Sequence, residues 1–110
     1  MRMGDVLGEF EQLVLLAVLR LDDEAYGAAI GRELREKAGR DASPGAIFTT
    51  LERLEARGLV RSRYGEPTPE RGGRRKRYYR LRSAGQRALG RSYTATVRMA
   101  QGLEAKLTRS

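Results

Sequence analysis

The chain has 110 residues, of which 22 are Lys or Arg and 14 are Asp or Glu, giving a formal net charge of +8. It contains no Cys and no His, which removes disulfides, nearly every zinc, haem and iron–sulfur option and the commonest catalytic base, so neither a cofactor nor enzyme chemistry is expected. A basic chain of this size favours a polyanionic partner, and its core is only marginally sufficient alone, so association between copies is expected.

Glu9 to Leu21 reads as a first helix, with Phe10, Leu13, Val14, Ala17, Val18 and Leu21 on one side. Leu15, Leu16 and Leu19 make it apolar almost all round, as a helix needs when its own domain covers one face and a partner subunit the other. The apolar run from Leu13 to Leu21 is too short to span a bilayer and is interrupted by Arg20, and Asp5, Glu9 and Glu11 precede it where an export signal is positive. A soluble cytoplasmic chain without a membrane partner is expected. Asp22-Asp23-Glu24 forms a polar break, and a second helix follows from Ala25 to Gly39, with Tyr26, Ala29, Ile30 and Leu34 facing inward. Gly27 and Gly31 are placed to allow close packing on the first helix.

The third helix is the best marked. Ser43 is a favoured N-cap, Pro44 suits the first helical position, and Gly58 closes the element. Ile47, Leu51 and Leu54 form its buried stripe. The opposite arc holds Gly45, Ala46, Thr49, Glu52, Arg53 and Ala56, with Thr50 on the flank. Small residues permit close approach to a groove, and Thr hydroxyls and Arg53 can reach phosphates or base edges, as the second helix of a helix-turn-helix does. Glu52 and Glu55 are expected to pair with Arg53 and Arg57 along the same helix.

Leu59 to Tyr64 and Lys76 to Arg82 read as two strands joined by GEPTPERGGRR, with Tyr79 and Leu81 on the face that packs on the helices and Tyr78, Arg80 and Arg82 on the other. From Arg57 to Arg82 stand ten basic residues against Glu66 and Glu70, a net of +8, while the remainder balances at twelve against twelve. The positive charge is thus focused on one element. Arg63, Arg71, Arg74, Arg75, Lys76 and Arg77 are the candidates for the phosphate backbone or a minor groove.

Ser83 can cap a last helix running from Ala84 to about Thr108. Leu89, Tyr93, Thr96, Ala100, Leu103 and Leu107 recur in it at heptad spacing, with Val97 beside them. Such a helix is about 38 Å long at about 1.5 Å per residue, and pairing between two copies covers its seam economically, with Phe10 and Leu13 of the first helix as partners. Folding back onto the first helix of the same chain is the alternative.

These elements define a mainly α fold with a small β-hairpin: a winged helix-turn-helix over residues 1–82 and a dimerisation helix over 83–110. The blocks GEFEQLVLLAVLRL, AYGAAIGREL, SPGAIFTTLERLEARGLV and RGGRRKRYYRLRSAGQRAL, in this order and spacing, resemble the PadR family of bacterial transcriptional regulators, in the form with one C-terminal helix, over roughly residues 8 to 108. The resemblance implies a homodimer that binds a palindromic double-stranded operator, usually as a repressor, and that in some members responds to a small hydrophobic or phenolic effector near the dimer interface. Where the family often has Tyr-Pro in the recognition helix, this chain has Phe48-Thr49, so the phenolic contact to phosphate is lost at Phe48 and Thr49 supplies a hydroxyl next door. With no Trp in the chain, an effector site built on a stacked Trp pair is excluded, leaving Tyr93 as the aromatic candidate. The other reading is a winged-helix module that binds RNA or a protein, which equal binding of duplex DNA and single-stranded RNA in matched salt would favour.

Overall fold

The computed structural model describes residues 6–66 and 75–109. Helix α1 (Glu9–Leu21) leads through a 3-10 turn at Asp22–Glu24 into helix α2 (Gly27–Ala38) and helix α3 (Pro44–Ala56). Strands β1 (Val60–Tyr64) and β2 (Arg77–Leu81) follow, then helix α4 (Ser83–Ala100) and a final turn of helix, α5 (Glu104–Leu107). Helices α2 and α3 with the hairpin make a winged helix-turn-helix, and α1 is its backbone, touching α2, α3, α4 and β2.

The helix boundaries follow from local chemistry. The Glu11 carboxylate accepts from the Gly8 N–H at 2.8 Å, which satisfies one of the free donors entering α1. Gly39 closes α2 at a φ of 62°, and the Arg40 N–H then donates to the Leu34 carbonyl at 3.0 Å. Ser43 Oγ accepts from the Ala46 N–H at 3.1 Å and caps α3 as expected. Gly58, at a φ of 75°, performs the same closure for α3, with the Leu59 N–H donating to Leu54.

The strands pair antiparallel in the register Val60↔Leu81, Ser62↔Tyr79 and Tyr64↔Arg77. The residues before α2 lie along the free edge of β2: the Tyr79 N–H donates to the Ala25 carbonyl at 2.8 Å, and Tyr26 bridges Tyr78. Val14, Leu15 and Val18 of α1, Ile30 and Leu34 of α2, Ile47, Leu51 and Leu54 of α3, and Val60 and Tyr79 of the hairpin share one core. Gly31 sits at the crossing of α2 with α3, where an added Cβ would lie 3.4 Å from Ile47 Cδ1, and Gly27 faces open space. The close approach expected between these glycines and the first helix is therefore not made.

The C-terminal region departs most from expectation. Arg82 is the N-cap of α4, and Ser83 is its first helical residue with no capping hydrogen bond. Gly85 lies so close to the end of β1 that an added Cβ would collide with the Leu59 carbonyl. The expected single helix to Thr108 instead ends at Ala100, and Gly102, at a φ of 84°, turns the chain into α5. Its 18 residues span about 27 Å. Beyond Leu89 no described residue is buried, and the radius of gyration of 15.6 Å exceeds the roughly 13 Å of a compact domain this size. The second half of α4 and α5 form a projecting arm.

Candidate nucleic-acid interface

The outer side of α3 is open. Ser43, Gly45, Ala46, Thr49, Glu52, Arg53 and Ala56 are exposed, as is Phe48 at 51 %. Thr50 is not part of this face. It lies three residues from Ile47 and four from Leu54, which places it on the buried stripe, and it is only 8 % exposed.

The basic segment divides into two populations. Arg77 lies on the strand face that points at α3, where its guanidinium pairs with Glu52 at 3.1 Å and Glu55 at 2.9 Å, and its Nε–H donates to Ser62 Oγ at 3.0 Å. The Ser62 N–H donates to Glu55 at 3.0 Å, completing a half-buried latch between the hairpin and α3. Burial works against the Arg77 charge, but Tyr79, Glu52 and Glu55 outweigh it and hold the guanidinium above its ordinary range. Burial pushes the Tyr79 phenol up. The pairing expected within α3 is thus replaced by one across to β2. Arg57 likewise turns to α1, donating to Glu11 at 3.1 Å and to the Val6 carbonyl at 2.8 Å. Arg80 pairs with Asp23 at 2.6 Å and Asp22 at 3.2 Å. Arg57 and Arg77 are thereby tied into the fold, and Arg80 is held in an exposed pair.

The others remain on the surface. Among the described residues, Arg61, Arg63, Arg75, Lys76 and Arg82 form no ion pair. The Arg63 guanidinium stacks 4.8 Å from the Tyr78 ring centre and Lys76 Nζ lies 4.1 Å from that of Tyr26. Arg71 and Arg74 fall outside the described residues. Among the described residues, no group of His, Cys, Asp and Glu could hold a metal ion, and no helix is long and apolar enough to cross a membrane.

A second surface is apolar. Leu16 (42 %) and Leu19 (50 %) of α1 are exposed beside Tyr93 (67 %), and the exposed strip continues through Val97, Met99, Leu103 and Leu107. An open groove of about 370 Å³ runs between the two helices, lined by Leu16, Leu19, Leu89, Tyr93 and Thr96. Three of the residues expected at a subunit interface also make contacts within the chain. Phe10 and Leu13 pack against the core, with Arg40 stacked 5.5 Å over the Phe10 ring, and Leu89 is buried in that core. Ala100 is half-buried and Thr96 exposed. Leu16 and Leu19, which make the first helix apolar almost all round, and Met99 share this exposed strip.

Residues 15–91 match the model of the transcriptional regulator PadR-like family. Over 80 residues the chain is 38 % identical to the transcriptional regulator Rv3488 of Mycobacterium tuberculosis, covering 73 % of this chain and 70 % of that protein. A PadR family transcriptional regulator from Eggerthella lenta superposes with a TM-score of 0.68 at 25 % identity, over 93 % of this chain and 88 % of that one. A PadR-like regulator from Bacillus cereus superposes with a TM-score of 0.71 over 92 % of this chain and 93 % of its own; its 17 % identity supports the fold alone.

Proposed function

The chain belongs to the PadR-like family of transcriptional regulators, and on that premise we propose that it acts as a homodimeric repressor that binds an inverted-repeat operator. The observation that carries the reading is the latch of Arg77 with Glu52, Glu55 and Ser62. It fixes the hairpin against α3, so that the exposed face of α3 and the unpaired cations of the hairpin are presented as one rigid surface. In this reading Arg53, Thr49 and the small residues Gly45 and Ala46 meet base edges in the major groove, with Ser43 and Phe48 at its margin. Arg63, Arg75 and Lys76, with Arg71 and Arg74, meet phosphates or the flanking minor groove.

Residues 1–82 are the DNA-binding unit and 83–110 the coupling arm, rooted in the head through the buried Gly85, Ala88 and Leu89. The apolar strip of Leu16, Leu19, Tyr93, Val97, Met99, Leu103 and Leu107 supports a second copy of the chain as its cover, since an exposed continuous apolar surface is costly for a monomer. Thr96 and Ala100 lie within the same strip. The groove beside Tyr93 is the place where a small hydrophobic or phenolic effector would act, because an occupant there lies between the helices that join the subunits. Titration of duplex DNA by fluorescence anisotropy tests the reading, with single-stranded RNA in matched salt as competitor. Preference for duplex supports it, and equal binding points to an RNA or protein module.

A further inference from the structure

Among the described residues, Arg20, Arg40, Arg57, Arg77 and Arg80 are each seen held by a carboxylate. Two cations next to Tyr26 are treated differently. The Arg32 Nη2 donates to the Tyr26 hydroxyl at 3.2 Å and its guanidinium lies 5.9 Å from the ring centre, while Lys76 Nζ stands 4.1 Å from that centre. Neither cation pairs with a carboxylate among the described residues, even though Glu36 lies one turn beyond Arg32 on α2. The ring itself is packed edge-on to Tyr78 at 5.6 Å between centres, and Tyr78 in turn carries the Arg63 guanidinium 4.8 Å from its centre.

We propose that Tyr26, Arg32 and Lys76 form a clamp for one phosphodiester of the DNA backbone, at the junction of α2 with the base of the wing. The inference rests on the DNA-binding reading above and adds to it a residue pair, Tyr26 and Arg32, outside the recognition helix and the wing. The Tyr26 oxygen accepts from Arg32, which leaves its own O–H to donate to a phosphate oxygen; the remaining Arg32 N–H groups and the Lys76 ammonium supply charge beside it. The hydrogen bond from Arg32, reinforced by the charges of Lys76 and Arg32, draws the Tyr26 phenol below its ordinary range despite some desolvation, which marks the spot as one that stabilises negative charge. Arg32 also lines a cleft of about 500 Å³ between α2 and α3, together with Pro44 and Phe48 of the latter. In this proposal the backbone of the strand that α3 reads runs along the mouth of that cleft.

The test uses the full chain and a duplex of random sequence, with affinity read by anisotropy across a series of salt concentrations. Arg32→Gln combined with Lys76→Gln is expected to lower the slope of log K against log salt by about 0.9, the value for one neutralised phosphate. Tyr26→Phe keeps the ring and its stack; it is expected to weaken binding about tenfold, the size of one hydrogen bond to a charged acceptor, with the thermal midpoint preserved. An unchanged slope in the double variant, or a Tyr26→Phe protein whose affinity is intact, overturns the clamp while leaving the DNA-binding reading standing. A fall in thermal midpoint with the affinity of the folded protein unaltered assigns the cluster to stability and overturns it equally. Failure of the unmodified protein to bind duplex DNA at all removes the reading on which the clamp depends.

Discussion

Arg75 and Arg77 are two residues apart in one run of cations, yet Arg77 is committed to Glu52, Glu55 and Ser62 while Arg75 is exposed. Replacing Arg77 by Ala leaves half-buried carboxylates without their partner, and we expect a loss of about 1–3 kcal/mol in a denaturant titration. Replacing Arg75 by Ala should leave stability within about 0.5 kcal/mol and lower the salt dependence of DNA binding by about one unit of slope. Equal stability losses at the two positions would contradict the division. Arg53 occupies a third role, on the open face of α3. Its change to Ala should cost about 1–3 kcal/mol of preference for the operator over a scrambled duplex, measured by competition, whereas a uniform loss on all sequences would make it a backbone contact. Gly85 belongs to the fold: a Cβ there meets the Leu59 carbonyl, so Gly85→Ala should destabilise by about 1–3 kcal/mol, read from the same denaturant midpoint.

Among the elements, those with punctuation were legible from sequence. Ser43-Pro44 and Gly58 bracket α3, Gly39 stops α2, and alternation in KRYYRLR placed Tyr79 inward and Tyr78 outward, as observed. The same alternation puts Arg77 with Tyr79, so its inward role was available in the pattern but hidden by the charge of its neighbours. Thr50 was misread because its burial depends on both Ile47 and Leu54, a wider stripe than the three apolar residues suggested. The end of α4 was not legible, because a seam that continues through Leu103 and Leu107 has the same spacing whether or not Gly102 adopts a positive φ between them. Leu16 and Val97 give an element-level test of the apolar strip. Both are exposed in the single chain, so Leu16→Glu or Val97→Glu should keep the helical circular dichroism signal while weakening self-association about a hundredfold or more. Sedimentation at several concentrations reads this directly, and an unaltered dimer would assign the strip to some other partner.

For the whole molecule, in the proposed reading, head and arm together set the geometry of recognition. In the proposed dimer, two copies related by a two-fold axis would present two α3 helices to successive major grooves on one side of the duplex, about 34 Å or one helical turn apart. The measurement that tests this most directly is selection of genomic fragments by the unmodified protein, followed by sequencing of what is bound. The account predicts enrichment of inverted repeats whose half-sites are centred about 10 base pairs apart or a multiple of that. Bound fragments with no repeat symmetry, or no enrichment over input DNA at physiological salt, would contradict it.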